Sequence, residues 1–173
     1  MAIWQFRLIL IPEDVLLKKY EVLPLKITQD GAEDFPWWSD RQPPIAFEKG
    51  IGAIIPQVES WSTSMRMWGV KHGDEAYVCY LDDDKSVVEE IGFRVDVRAL
   101  AGGFVRDICA FTRNLKCVLL TGDYEILIPE ESMVLAAISH STSKKYLEDP
   151  VSTLKNLDTR KFEYGARPKK IED

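Results

Sequence analysis

The stretch "IGFRVDVR" (91–98) constrains the fold more than any other. Ile91, Phe93, Val95 and Val97 alternate with Gly92, Arg94, Asp96 and Arg98. A period of two places the apolar set on one face of a β-strand and the polar set on the other. Partner strands are close at hand. "SMRMWGV" (64–70) and "EAYVCYL" (75–81) flank "KHGD", where Gly73 and its polar neighbours suit a hairpin turn. "LDDDKS" (81–86) is a second turn and leads into "VVEEIGFRVDVR". Three strand-like runs joined by two short turns predict an antiparallel meander.

The flanking regions change period. Residues 2–11 alternate, with Trp4, Phe6, Leu8 and Leu10 on one face and Gln5 and Arg7 on the other, which predicts a half-buried strand. Pro12 suits the first position of a helix over 12–20, with Glu13 and Asp14 at its positive end and Lys18 and Lys19 at its negative end. Phe104, Ile108, Phe111 and Leu115 recur at helical spacing, with Arg106, Asp107 and Arg113 opposite, which predicts an amphipathic helix over 103–114. "CVLLT" and "YEILI" around "GD" read as another hairpin. Pro129 with two acids reads as a helix start, and Asp149 and Pro150 suit the N-cap and first position of a last helix. Residues 23–63, with five prolines and three glycines, lack a clear period. A stretch this long is not all loop in a compact domain, and "IGAIIPQVESW" is the place for a short strand or a helical turn.

Adjacent strands with helices gathered late favour α+β over a βαβ repeat. The expectation is one α+β domain over 1–157, a mainly antiparallel sheet with helices packed on one face, and a flexible tail over 158–173.

Composition narrows function. The net charge of −6 argues against nucleic acid as a partner, because such binding rests on neutralising phosphates. It suits solubility or a basic partner. Cys79, Cys109 and Cys117 are an odd number without paired spacing, which argues against a disulfide framework and for a reducing, cytoplasmic setting. His72 and His140 are the only histidines, too few for a Cys/His zinc site. "MAIWQFRLILI" lacks a basic start and a cleavage site, so no signal peptide is expected, and no run reaches membrane-span length.

Several constellations are candidates for chemistry. Arg7, Arg66, Arg94, Asp96 and Arg98 would gather on one polar sheet face if their strands are neighbours, a cluster suited to carboxylates or phosphates. The plain alternative is a solvated sheet face. Residues 82–90 hold five acids (Asp82, Asp83, Asp84, Glu89, Glu90) and one lysine, four of the chain's net negatives in nine residues. That run lacks the calcium-loop register and reads either as a docking patch for a basic protein or as a solvated connection. In "FPWWSDRQPP" (35–44), Trp37, Trp38 and Arg41 are residue types enriched at binding hot spots, or else the loop folds back to cap the core. The hydroxyls around His140 in "ISHSTSKKY" are explained by a serine-rich helix C-terminus, and "HGDE" by turn chemistry. No catalytic residue, cofactor or metal is expected.

"IGFRVDVR" followed by an amphipathic helix, then "CVLLTGDYEILIPE" and "ISHSTSKKYLEDPVSTLKNL", resembles a pattern of small uncharacterised bacterial proteins, some of them similar to immunity proteins of toxin systems. Ser141, Tyr146, Asp149, Pro150 and Leu154 carry its last part. The resemblance spans roughly 87–157 and brings no catalytic motif. It implies a small acidic cytosolic protein that occludes a basic toxin. The expected function is therefore non-enzymatic protein binding, with Trp37, Trp38, Arg41 and the acids of 82–90 as contacts. The alternative is a small enzyme or small-molecule binder whose arginines hold an anionic ligand. Self-association through exposed strands is a third reading.

Overall fold

The computed structural model describes residues 3–100 and 102–155. Its strands are β1 (Gln5–Pro12), β2 (Gln57–Val58), β3 (Met65–Gly69), β4 (Glu75–Tyr80), β5 (Val88–Asp96), β6 (Cys117–Thr121) and β7 (Ile126–Leu127). They form one sheet in the order β2-β3-β4-β5-β1-β6-β7, with every pairing antiparallel. The expected meander is β3-β4-β5. The first strand of the chain is central: β1 lies between β5 and β6, pairing Leu8 with Phe93 and Leu10 with Leu119. This seat explains why alternation fades at its end, where Leu10 and Ile11 are both buried.

The helices are α1 (Glu13–Tyr20), α2 (Gln29–Glu33), α3 (Phe47–Ile54), α4 (Gly102–Asn114), α5 (Glu131–His140) and α6 (Thr142–Glu148), and residues 150–155 are also helical. The inward row of α4 meets the alternating apolar row of β5. Phe93 makes edge-to-face contacts with Phe104 (centroids 6.2 Å apart) and Phe111 (5.9 Å). Helices α3 and α5 pack beside α4. The architecture is α+β, an antiparallel sheet with its main helices on one face. Among the described residues, no helix is long and apolar enough to cross a membrane. Residues 158–173, the expected tail, lie outside the described part, so the domain boundary at 157 does as well.

Local readings shift in four places. Pro12 ends β1 and stands at the N-cap of α1 rather than inside it, so strand and helix abut without a loop. The run "ISHSTSKKY" is not one fraying helix end: the Ser141 hydroxyl accepts from Lys144 N (3.1 Å) and caps a separate helix, α6. Residues 23–63 contain α2, α3 and β2, with Pro56 separating the last two. The turns place His72 (φ 60°) and Tyr124 (φ 64°) in the left-handed region, not their neighbouring glycines. Asp149 does cap the last helix, accepting from Ser152 N at 3.0 Å.

The sheet face away from α4 carries Arg7 and Ile9 of β1, Tyr77 and Cys79 of β4, Gly92 and Arg94 of β5, and Leu120 of β6. Tyr77 and Gly92 are register partners, and a β-carbon on Gly92 would come within 2.3–2.6 Å of three Tyr77 side-chain atoms. The ring lies over a residue that has no side chain. A Gly92→Ala substitution must displace it, at a cost of about 1–3 kcal/mol. Urea unfolding should show a lower midpoint with an unchanged m value; an unaltered midpoint would refute this close packing.

Candidate functional site

Part of the second sheet face is roofed by the aromatic loop. Both tryptophans of that loop are buried: Trp37 is 5% exposed and Trp38 2%. The Trp37 indole N–H donates to Ala32 O (3.0 Å), and its ring is 4.5 Å from Phe35. The Lys19 ammonium lies 3.8 Å from the Phe35 centroid and 5.0 Å from that of Trp37. Arg41 donates to Leu115 O (2.7 Å) and Lys116 O (3.3 Å) just past the end of α4 and pairs with Asp14. There it satisfies carbonyls at the negative end of the helix. Of the residues expected at a partner contact, the three in this loop thus turn inward: Arg41 binds within the chain and both tryptophan rings are buried.

The arginines divide rather than converge. Arg7 and Arg94 are direct cross-strand partners, an arrangement of like charges that is unfavourable unless each has a counter-ion. Each has one. Arg7 makes a forked contact with Glu90 (2.7 and 2.9 Å) and donates to the Tyr77 hydroxyl (2.9 Å), which in turn donates to Glu90 (2.6 Å). Arg94 pairs with Glu75 (3.0 Å) and stacks on Tyr77, its carbon 4.6 Å from the ring centroid. Burial and the negative neighbour Glu90 push the Tyr77 hydroxyl well above its ordinary value, so it remains a donor. Arg66 sits in register with Val78 on the helix side and pairs with Glu48 of α3. Arg98, past the end of β5, forks onto Asp96 (2.6 and 3.2 Å) and stacks on Trp4 (4.6 Å). All four guanidinium groups are neutralised by carboxylates, and they lie in different environments.

Of these four, Arg7 alone lines the cavity under the aromatic loop. A cavity of about 420 Å³ lies between the sheet and the aromatic loop. Ile9 and Leu120 contribute from the strands and Phe35, Trp37 and Trp38 from the loop, while Leu81, Val88 and Cys79 come from the β4–β5 hairpin. Its charged lining residues are Glu33, Asp34, Glu89, Glu90 and Arg7, a net of three negatives. Tyr124 donates to Glu33 (2.7 Å), which holds that carboxyl below its ordinary value and therefore ionised. Burial raises the Cys79 thiol to about 11, so it stays protonated and is no nucleophile at neutral pH.

The acidic run divides in the same way. Asp82 closes its own turn by accepting from Ser86 N (2.8 Å), and Glu90 belongs to the Arg7 cluster. Asp83, Asp84 and Glu89 are exposed. Asp83 accepts from the Thr63 hydroxyl (2.7 Å), and Tyr80 N donates to Ser64 O (2.9 Å). These bonds tie the β4–β5 turn to the connection between β2 and β3. That connection carries Trp61, 76% exposed, and the turn begins with Leu81, 64% exposed. Sequence reading passed over Trp61 because it sits in the aperiodic stretch, alone and without a basic neighbour. Its isolation from any apolar row was the available signal.

At the opposite end of the sheet, the residues of "HGDE" serve the backbone. Asp74 accepts from Asp96 N (2.8 Å), and Arg98 donates to His72 O (2.7 Å). Among the described residues, no group of three His, Cys, Asp or Glu side chains could hold a metal ion.

No protein-family model, curated protein or solved structure matches this chain. Fold and site alone set its class: an α+β protein with an acid-rimmed cavity on the sheet face opposite its main helices.

The Asp74–Asp96 pair yields a pH prediction. Burial, with the Asp96 charge adding to it, raises the Asp74 carboxyl, while the hydrogen bonds and charge of Arg98 lower that of Asp96. A carboxyl raised in the folded state opposes folding when charged, and that cost disappears as pH falls through its raised value. Asn at 74 keeps the acceptor for Asp96 N–H without the charge. The Asp74→Asn protein should melt about 2 °C higher at neutral pH, with the gap closing below about pH 4. A gap that widens on acidification in thermal scans would contradict this assignment.

Proposed function

We propose that this chain is a non-enzymatic binding protein that meets a basic protein partner at the end of the sheet where the β4–β5 turn and the β2–β3 connection lie together. The observation that carries it is the pairing of an exposed anchor with exposed acids. Trp61 projects from a segment hydrogen-bonded to Asp83, with Asp84, Glu89 and Leu81 close by in the same turn and strand. Tryptophan is enriched at hot spots, and acids around an apolar anchor steer and orient a basic partner. Trp61 takes the anchoring role expected of Trp37 and Trp38, which are buried. Occlusion of a toxin's basic surface, the mechanism implied by the resemblance to immunity proteins, is one form of such a contact. A cytoplasmic location belongs to the same proposal, since the three cysteines are free thiols, two of them buried, as a reducing compartment keeps them.

An anionic ligand has less support, since each arginine named for it has a carboxylate partner and the four do not line one cavity.

Affinity capture from native lysate, followed by binding measurements on the recovered partner, tests the proposal. A stoichiometric basic protein is expected, with binding that weakens as salt rises. Trp61→Ala should cost at least ~2 kcal/mol of binding while changing folding stability by less than about 0.5 kcal/mol. Recovery of no stoichiometric partner, or of one indifferent to both Trp61→Ala and the Asp83→Lys/Asp84→Lys double change, would defeat it. Trp38→Ala is the contrasting control: emptying this site should cost about 3–5 kcal/mol of folding stability, seen as a large loss in the urea midpoint.

A further inference from the structure

The cavity under the aromatic loop adds chemistry that the exposed patch lacks. We infer that it receives a lysine or arginine side chain of the basic partner, an inference that rests on the function proposed above and deepens it.

Size and lining select this occupant. A volume of about 420 Å³ is at the lower end of the range for ligand pockets, and it suits a single extended side chain better than a large cofactor. The inner surface is mostly apolar and aromatic, with Ile9, Leu120, Phe35 and Trp37 among its residues, and would cover an aliphatic stem. A neutral apolar group would satisfy that surface alone, but the rim is acidic. Asp34 and Glu89 are exposed lining residues, and Glu33 is kept ionised by the Tyr124 hydroxyl. The opposing charge is Arg7, and its guanidinium is held by both oxygens of Glu90 and by Tyr77. Arg7 and Glu90 cancel, leaving three carboxylates for an incoming cation. Among the lining residues, an anion would meet those three with no unpaired cation to receive it.

The position of the cavity favours a peptide-borne cation over a free amine. Leu81 joins the two surfaces, since it lines the cavity and begins the exposed acidic turn. A partner anchored on Trp61 and Asp83 therefore has the cavity mouth within the same end of the sheet.

The test uses small probes and the intact chain. Nα-acetyl-lysine methylamide and its arginine counterpart are titrated against isotope-labelled protein, with the norleucine analogue as a neutral control and n-butylamine as a free amine. Saturable chemical-shift changes are expected at the Trp37 and Trp38 indole N–H groups and the Cys79 and Leu120 amides. Binding of the norleucine analogue and of n-butylamine should be weaker. The Asp34→Asn/Glu89→Gln protein, changed only at exposed positions, should bind the basic probes about fivefold more weakly with an unaltered melting temperature. Equal binding of the norleucine analogue would overturn the inference, as would changes confined to the Asp83–Asp84 turn or an absence of saturable change. n-Butylamine binding as tightly as the acetylated lysine would overturn the peptide-borne assignment. The two readings fail separately. A captured partner that depends on Trp61, with a cavity silent to every basic probe, removes only this inference; probe binding without any partner removes the proposed function and with it the partner as source of the side chain, while the preference of the cavity for a basic side chain stands.

Discussion

The seat of β1 between β5 and β6 is the constraint on which the rest depends. Pairing with β5 brings Leu8 beside Phe93 on the helix side, where Phe104 and Phe111 close over Phe93. The same register sets Arg7 opposite Arg94 on the other side and within reach of Glu90 and Tyr77. Pairing with β6 places Ile9 beside Leu120 and forms the apolar part of the cavity. A slip of one residue would exchange the two faces, burying Arg7 against α4 and exposing Leu8. Core, charge ladder and cavity therefore stand or fall with one register.

The arginines of the sheet are paired within the chain. Arg7, Arg94, Arg98 and Arg66 are matched by Glu90, Glu75, Asp96 and Glu48, and Arg41 binds carbonyls beyond α4 together with Asp14. The exposed, unmatched side chains of interest are then acids, at Asp34, Asp84 and Glu89. Matched cations and outward carboxylates turn a modest net charge into a locally acidic sheet end. The sheet face that carries Arg7 and Arg94 thus borders a locally acidic surface.

Much of the scaffold was legible in the sequence. Alternation in 91–98 and helical spacing in 104–115 each reflect burial of one face against a neighbour, and each element formed close to its expected bounds. Asp149 capped its helix as its side chain and the following proline suggest. The stretch 23–63 was opaque because its residues answer to scattered partners: Ile27 to Tyr124, Gln42 to Val88, Gly69 to Pro56. Contacts of that kind leave no period. The same opacity hid Trp61 and drew attention to the adjacent pair Trp37–Trp38, since composition registers aromatic residues without registering which way they face.

The sequence by itself determined an α+β chain with a meander, an amphipathic helix, a net negative charge and no catalytic motif, because those properties are local or additive. Only the tertiary structure decided which arginines are neutralised, that both tryptophans of "FPWWSDRQPP" turn inward, and that the segment carrying Trp61 is bonded through Thr63 to Asp83. Each of these depends on which distant segments share a sheet edge or face. Sheet order joins residue 7 to residue 90 and residue 63 to residue 83; no spacing along the chain encodes those meetings.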